Sequence, residues 1–454
     1  VRALPLLFGR ELTIGTVALE GFRLDLRVDE RGRRNWSDLL ASDAPADDRA
    51  GPPTGPPERA SLEVSGVDIS NASITYEHAP KGDRYAFTDA NLQIGRINES
   101  GEAIPVEGGL AFDVEPVGYS GTVELATSVS FDTATGAVAF GESSLEATVA
   151  GIAVEPTRLA FGTQGIEVDT VEKTAAVGAV ELSVLGIEMR ADVQPFSYAG
   201  AIQPQAAIQV DAFSPRNVMR LLGVEPPAIA DPAALTRVIL DAKANMGEDV
   251  VRLTDLNIKL DDTSFSGSMT VPFDAAGRFF AKLDGDAINL DRYMQPATEG
   301  AAADQTEAAP IAIPSDLLRP LNVRGELTLD SVQMSGLQLE DVTVTVNAKD
   351  GKLRINPMTA TLFGGTYSGD ITIITSTSVP SLSVNETVQG IDLAKLAKAM
   401  FDQDNITGSI AGNFRLGGNG HNMAEIQQTL GGTMSFALKD GTYEGMDVWY
   451  ELRR

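Results

Sequence analysis

Apolar and polar residues alternate along most of this sequence, which restricts the folds open to it. The clearest stretches are SLEVSGVDISNASITYE (Ser61 to Glu77), LTDLNIKLDDTSFSGSMTV (Leu253 to Val271) and LEDVTVTVNAKDGKLRI (Leu339 to Ile355). A period of two residues is that of a β-strand with one apolar and one polar face. Turn signals such as DTATG, NMGED and KDGK separate the stretches, as in hairpins. The pattern predicts a mainly β protein built on a long, curved antiparallel sheet with a few short α-helices.

A hexad of the form apolar-x-Gly-apolar-x-apolar occurs seven times. The hexads begin at Leu19, Val64, Val149, Val184, Met334, Val388 and Tyr443. Ordinary residue frequencies would supply about one by chance. We predict that a strand kinks or ends at each hexad, because glycine lets the backbone bend without a side-chain clash. Their uneven spacing favours a loosely repeated sheet over a regular solenoid.

Helical signals are few and short. An N-cap residue precedes proline at Ser214-Pro215 and at Asp231-Pro232, and both pairs are typical of a helix start. Apolar residues three or four apart predict helices within Asp392 to Asp404 and Asn422 to Leu430. Two segments poor in large apolar residues predict linkers. The chain therefore divides into an N-terminal strand pair with a capping helix (1–42), a Pro-rich linker (43–59), a main β-groove region (60–295), a low-complexity linker (296–314) and a C-terminal β-groove region (315–454).

The composition weighs against several classes of function. Acidic residues outnumber basic ones 63 to 35, for a net charge of −28, which repels nucleic acid. The chain has no cysteine and two histidines, His78 and His421, so thiolate chemistry is excluded and the commonest general base is scarce. A β-rich carbohydrate-active enzyme would need aromatic platforms, and there are two tryptophans. We predict no enzymatic activity, no catalytic residues, no metal and no cofactor.

The segment DERGRRN (Asp29 to Asn35) places three arginines at a predicted hairpin tip. Arginines in a turn can bind phosphate, but a solvated turn is the more frequent situation. We predict that Asn35 caps the short helix WSDLL and that Trp36 closes one end of the sheet. These two residues are therefore candidates for a structural cap.

A large sheet with few helices leaves much apolar surface to bury. Such a face is buried by sheet packing, by curling, or by an apolar ligand. About 25 strands at about 4.8 Å would extend on the order of 120 Å. We predict a groove with an apolar interior that holds lipid acyl chains. Its candidate lining residues are Val64, Ile69, Ile74, Leu256, Ile258, Leu260, Val342, Val344 and Val346.

Several segments, in this order, resemble the AsmA family of Gram-negative envelope proteins. They are LFGRELTIGTVALEGFRLDLRVDERGRRNWSDL near the start, FSPRNVMRLLG, LDDTSFSG with INLDRYMQP, the stretch from DLLRPLNVRGELTLDSVQMSGLQLEDVTV to LFGGTYSGD, and the closing LGGTMSFALKDGTYEGMDVWYELRR. The resemblance covers nearly the whole chain. The Pro-rich insertion after Ser42 and the strong acidity depart from the family pattern.

The resemblance implies a periplasmic protein held in the inner membrane by one N-terminal helix. No run here reaches the roughly 18 to 20 apolar residues that a spanning helix needs, and the chain opens at Val1 within a pattern. We therefore expect a fragment that lacks its N-terminal anchor. The implied role is phospholipid transport to the outer membrane and outer-membrane integrity, with phospholipid and envelope proteins as partners. The alternative is a structural or assembly factor for outer-membrane proteins that acts through protein contacts.

Overall fold

The computed structural model describes residues 11–37, 61–97, 101–115, 117–132, 135–274, 276–294 and 313–443. Strands make up 65% of the structure, and the described residues form 26 strands and four short α-helices. The prediction of a mainly β protein with few helices is therefore confirmed. The chain separates into two units, Val1–Glu225 and Pro226–Arg454. The strands of the first unit are called the first sheet, and those of the second unit the second sheet.

Among its described residues, the first unit contains fifteen strands and one helix. The helix is α1 (Pro215–Leu221). The strands are β1 (Glu11–Glu20), β2 (Arg23–Val28), β3 (Ser61–His78), β4 (Asp83–Ile94), β5 (Ile104–Glu115), β6 (Tyr119–Asp132), β7 (Ala137–Phe140), β8 (Ser143–Ala150), β9 (Thr157–Thr163), β10 (Ile166–Asp169), β11 (Thr174–Val177), β12 (Val180–Val184), β13 (Ile187–Val193), β14 (Phe196–Ser197) and β15 (Gln205–Phe213).

The second unit contains eleven strands among its described residues. They are β16 (Val238–Met246), β17 (Val250–Leu260), β18 (Thr263–Pro272), β19 (Phe279–Asn289), β20 (Val323–Met334), β21 (Leu337–Lys349), β22 (Lys352–Leu362), β23 (Gly365–Ile374), β24 (Ser381–Asp392), β25 (Ile406–Asn419) and β26 (Gly431–Tyr443). A 3-10 helix covers Leu290–Arg292. The α-helices are α2 (Ser315–Leu318), α3 (Leu393–Phe401) and α4 (Met423–Thr429).

Strand pairing is mixed rather than wholly antiparallel, which corrects the sequence prediction. Strands β1 and β2 both pair parallel to β3, and β19 pairs parallel to β20. The expected N-terminal strand pair is therefore not a hairpin. Strands β1 and β2 follow one another along the same side of β3, separated at Gly21, where φ is +67°. Long connections precede β3 and β20, and a long connection allows the chain to return in the same direction.

The glycine hexads end or bend strands in three ways. Leu185-Gly186 and Ser335-Gly336 form two-residue hairpin turns with positive φ at both positions, the geometry that suits hairpins. Gly21 and Gly151 follow the last residues of β1 and β8, whereas Gly390 lies in a bulge of β24. The hexad at Val64 is an exception, because β3 continues through Gly66. The hexad at Tyr443 lies outside the described residues except for its first residue.

Of the four helices predicted after residue 200, three are present, each with its N-cap. Ser214, Asp392 and Asn422 accept hydrogen bonds from the backbone N–H groups of Asn217, Lys395 and Glu425. The helix predicted at Asp231-Pro232 is wrong, since this segment is a turn. The Asp261 carboxylate accepts hydrogen bonds from three successive backbone N–H groups that begin at Leu235. Leu235 has a φ of +57°, which ends the helical path.

The predicted domain limits lie partly outside the described residues. The linker 43–59 lies wholly outside them, and the linker 296–314 does so except for Ile313 and Pro314. The boundary between the two units falls at Glu225 and Pro226, inside the predicted region 60–295.

Candidate functional site

The first unit presents an apolar row that crosses ten strands. Residues that pair directly across neighbouring strands lie on the same face of a sheet. Starting on β1 and ending on β15, the members are Leu19, Ile69, Leu92, Gly108, Leu125, Leu145, Phe161, Leu182, Met189 and Val210. None of the ten is polar or charged. At about 4.8 Å per strand, the row extends roughly 43 Å.

The second unit presents a matching row on β17 to β26. Its members are Leu256, Gly267, Leu283, Leu327, Val344, Met358, Gly369, Glu386, Phe414 and Met434. Bulges with a left-handed residue, such as Asp255 and Asp341, insert one residue and keep the apolar positions on one face. The row is apolar apart from one carboxylate, Glu386.

The opposite face of the second sheet carries a continuous polar row. One row on β16 to β26 consists of Asp241, Asn257, Ser266, Asp284, Thr328, Thr343, Thr359, Ser368, Thr387, Asn413 and Ser435. The contrast between this row and the apolar one shows that the period-two pattern encodes the two faces of the sheet.

The two apolar faces differ in how far their own side chains cover them. In the first row, Leu19, Leu125 and Phe161 are 42%, 39% and 36% exposed. In the second unit, Leu329, Val332, Val342 and Ala360 form a buried cluster, with Phe265, Leu327 and Tyr367 among the side chains packed against it. The first sheet therefore leaves large apolar side chains available for contact. The second sheet packs many of them but leaves Met434 and Phe436 of β26 exposed.

The nine predicted lining residues all lie on strands, in different degrees of burial. Ile69 and Ile74 lie on the apolar face of β3; Ile74 is 39% exposed and pairs with Leu24 and Phe87. Val64 pairs with Ile14 and bridges to Ile97. On the second sheet, Leu256 is 0% and Val342 is 7% exposed, so these two side chains contact protein. Half-buried positions on the same face are Ile258, Leu260, Val344 and Val346.

Asn35 and Trp36 lie beside β2 at one end of the first sheet. The Asn35 carboxamide donates to the carbonyl of Asp25 at 2.7 Å and accepts from the N–H of Arg27 at 2.8 Å. The Asn35 side chain therefore binds the backbone of β2 on both sides of Leu26. The Trp36 ring lies 6.2 Å from the ring of Tyr76, and the Arg34 guanidinium lies 6.0 Å from the Trp36 ring. The rest of the expected capping helix lies outside the described residues.

A polar cluster closes one end of the second sheet. It joins the two segments LDDTSFSG and INLDRYMQP through a hydrogen bond of 2.8 Å from the Tyr293 hydroxyl to Asp261. Arg292 pairs with Asp231 at 2.6 Å and with Asp262 at 2.7 Å. Burial raises the pKa of the Tyr293 hydroxyl to about 12, and Asp261 adds to this effect. Burial alone would raise the pKa of Asp261, but the hydrogen bonds from Tyr293 and the backbone hold it below its usual value.

Glu386 was missed by the sequence analysis, although its signal was present. In the strand sequence LSVNETV, this glutamate stands in phase with Leu382, Val384 and Val388. The Tyr367 hydroxyl donates to its Oε1 at 3.1 Å. Burial raises the pKa of the Tyr367 hydroxyl, and the Glu386 charge adds to this effect. A half-buried carboxylate thus interrupts a face that is otherwise apolar.

The polar faces carry shallow acidic depressions. One of about 580 Å³ on the first sheet includes Glu107, Glu124 and Glu146, and one of about 460 Å³ on the second includes Asp241 and Asp284. Among the described residues, no group of three or more His, Asp or Glu side chains is arranged to hold a metal ion. The helices of the described ranges are all too short to span a membrane.

Comparison with protein-family models gives a match to the AsmA family over residues 1–453. Searches among curated proteins and among solved structures gave no match.

Proposed function

The chain belongs to the AsmA family, and from this we propose that it binds phospholipid acyl chains along the apolar faces of its sheets. The proposed setting is the periplasm, with the parent protein anchored in the inner membrane, and the proposed role is phospholipid transport to the outer membrane. Family membership is consistent with a role of the lipid-transport type.

The observation that carries the proposal is the unbroken apolar row of the first sheet. Large side chains in this row, including Leu125 and Phe161, remain more than one third exposed. The row of roughly 43 Å exceeds the roughly 15 Å that one acyl chain occupies in half of a bilayer core. A lipid chain can therefore lie across several strands.

The energy of such a contact suits a carrier. Complete burial of a methylene group gains about 0.8 kcal/mol relative to water. An open face covers about half of a bound chain, so a chain of about 16 carbons gains roughly 6 kcal/mol. This offsets about half the cost of exposing the acyl chain to water, so the chain can still dissociate or slide along the sheet. Because the contact is apolar, it requires no specific headgroup.

Lipid extraction and site-specific crosslinking test this proposal. The chain is expressed in bacteria and purified, and its organic extract is analysed by mass spectrometry for phospholipid. A photo-crosslinking residue is placed at Ile69 or Ile74 on the apolar face, with Asp68 on the polar face as the matched control. We expect lipid adducts at Ile69 and Ile74 and few at Asp68. A lipid-free protein without adducts at the two isoleucines would overturn the proposal.

The second candidate function is a structural or assembly factor for outer-membrane proteins. The buried cluster around Leu329 and Val342 favours it, because that part of the apolar face is covered by the protein's own side chains. Crosslinking from Ile69 and Ile74 to protein instead of lipid, in cells that make outer-membrane proteins, would support this alternative.

A further inference from the structure

The second sheet places a carboxylate and two aromatic rings together on its apolar face. Glu386 on β24 pairs directly with Gly369 on β23 and with Phe414 on β25. A side chain at Gly369 would meet the Tyr367 hydroxyl at 2.5 Å, so the Tyr367 ring lies over this glycine. A side chain at Gly412 would meet the Phe414 ring at 3.4 Å. The Tyr367 ring therefore lies over the glycine that faces Glu386, and the Phe414 ring extends from the position that faces Glu386 toward Gly412.

One oxygen of the Glu386 carboxylate accepts a hydrogen bond, and the other does not. Oε1 of Glu386 accepts the hydrogen bond from Tyr367, whereas Oε2 has no hydrogen-bond partner among the described residues. Among the described residues, no lysine or arginine forms an ion pair with Glu386. By contrast, Glu77, Glu146 and Glu181 each pair with an arginine. Glu386 therefore keeps one carboxylate oxygen available as a hydrogen-bond acceptor.

This combination of groups suits a cationic ligand. A carboxylate attracts an ammonium group, and aromatic rings within about 6 Å of the cation add roughly 0.5 to 2 kcal/mol. The net charge of −28 disfavours anionic ligands at the same surface. Beyond Phe414, the edge strand β26 adds Met434 and Phe436, which are exposed, as contact surface for hydrocarbon next to the ammonium position.

We propose that Glu386, flanked by Tyr367 and Phe414, binds the ammonium headgroup of a zwitterionic aminophospholipid whose acyl chains lie on the adjacent apolar rows. The inference rests on the proposed function, since it assigns headgroup selectivity to the same surface. Tyr367 is a positioning residue, because its hydroxyl fixes the carboxylate through Oε1 and leaves Oε2 for the ammonium N–H groups.

A competition experiment tests the headgroup preference. The delipidated chain is incubated with vesicles of equal parts phosphatidylethanolamine and phosphatidylglycerol with identical acyl chains, and the protein-bound lipids are quantified. We expect the wild type to enrich phosphatidylethanolamine about three- to tenfold, given the strength of a partly exposed ion pair with aromatic neighbours. Vesicles in which the amine is acetylated should lose this enrichment.

Three variants test whether the headgroup preference depends on Glu386. Glu386→Gln keeps the shape of the side chain and should lower the enrichment at least about threefold, with the total bound lipid unchanged. Glu340→Gln, an exposed change on the polar face with the same change in net charge, should leave the enrichment as in the wild type. If Glu386→Gln folds poorly, the double change Glu386→Leu with Tyr367→Phe restores an apolar row and should also abolish the preference.

The possible failures are distinguishable. Equal enrichment in Glu386→Gln and Glu340→Gln, with lipid still bound, would overturn this inference and leave the proposed function intact. A wild type that takes up no lipid from either vesicle would overturn both.

Discussion

The two sheets share one pattern of alternation but use their apolar faces differently. The first sheet buries mainly small residues, such as Ala72, Ala147 and Ala175, and leaves Leu19, Leu125 and Phe161 partly exposed. The second sheet buries larger residues, including Leu256 and Leu329. A face that is already covered by its own side chains gains stability from packing. A face that is not covered can contact a ligand instead.

This difference suggests a division of roles between the units. The first sheet offers a row without charge, suited to hydrocarbon alone. The second carries Glu386 and the buried cluster, so it combines a firmer interior with one polar contact. The buried residues of the second sheet should therefore dominate the stability of the protein, whereas acyl chains should contact the exposed row of the first sheet and the exposed residues of β26.

The largest expected effect on stability is at Asp261, in the polar cluster of the second sheet. The Asp261→Ala change leaves three backbone N–H groups and the Tyr293 hydroxyl without their acceptor at a site that is 8% exposed. We expect a loss of about 3 to 4 kcal/mol in the free energy of unfolding of the second unit. Chemical denaturation followed by hydrogen exchange in β17 and β18 measures it. Asp262→Asn, at an exposed carboxylate, should cost less than about 1 kcal/mol.

The pH dependence of stability follows from the lowered pKa of Asp261. A carboxylate with a lowered pKa in the folded state contributes stability above its unfolded pKa of about 3.9, and this contribution is lost as the pH falls through the folded pKa. We expect the wild type to lose stability below about pH 4 more steeply than Asp261→Asn. Equal slopes in the two proteins would show that Asp261 does not control acid stability.

The next largest effect is expected for Leu256 in the same unit. Leu256→Ala empties a fully buried position and should cost about 3 kcal/mol. Leu125→Ala, at a row position of the first sheet that is 39% exposed, should cost about 1 kcal/mol or less. The denaturant midpoints of the two variants measure this difference in stability. Similar losses at both positions would contradict the contrast between the two sheets.

A charge introduced into the first row tests its contact with lipid. Leu125→Glu places a carboxylate between Gly108 and Leu145 on the apolar face, where a bound acyl chain would have to desolvate it. We expect at least a threefold drop in bound phospholipid, equivalent to about 0.7 kcal/mol or more. The matched control is Thr122→Glu on the polar face of the same strand, which should retain its lipid. Lipid phosphorus per protein measures both.

Sequence reasoning predicted the faces of the sheets but not how far they are covered. Period-two alternation placed Ile258 and Val344 on one face, because side-chain direction depends only on position along a strand. The burial of Leu256 against the partial exposure of Ile74 depends on bulges, twist and neighbouring side chains, which alternation does not encode. The parallel pairing of β1 with β3 was missed for a similar reason, since it depends on a long connection and not on a local turn.

The helix predicted at Asp231 shows the limit of local signals. Its Asp-Pro pair is a sound N-cap signal, and the Asp231 side chain does accept from the N–H of Ala233. The carboxylate of Asp261, more than twenty residues away, then binds the N–H groups that a helix would have used. Glu386, by contrast, could have been identified from the sequence, because a charge in phase with apolar positions of a strand is a local signal.

The last prediction concerns the edge of the first sheet. The Asn35 carboxamide binds the backbone of β2 as a neighbouring strand would, donating one hydrogen bond and accepting another. Because the site is exposed, Asn35→Ala should cost only about 1 kcal/mol, but it frees the N–H of Arg27 and the carbonyl of Asp25. We expect faster hydrogen exchange at Arg27 and, at high protein concentration, more self-association through the exposed edge. Ser37→Ala, which removes a nearby hydrogen bond to the Arg34 carbonyl, should leave the Arg27 exchange rate unchanged. If Arg27 exchanges equally slowly in both variants, the edge is protected by another contact and not by Asn35.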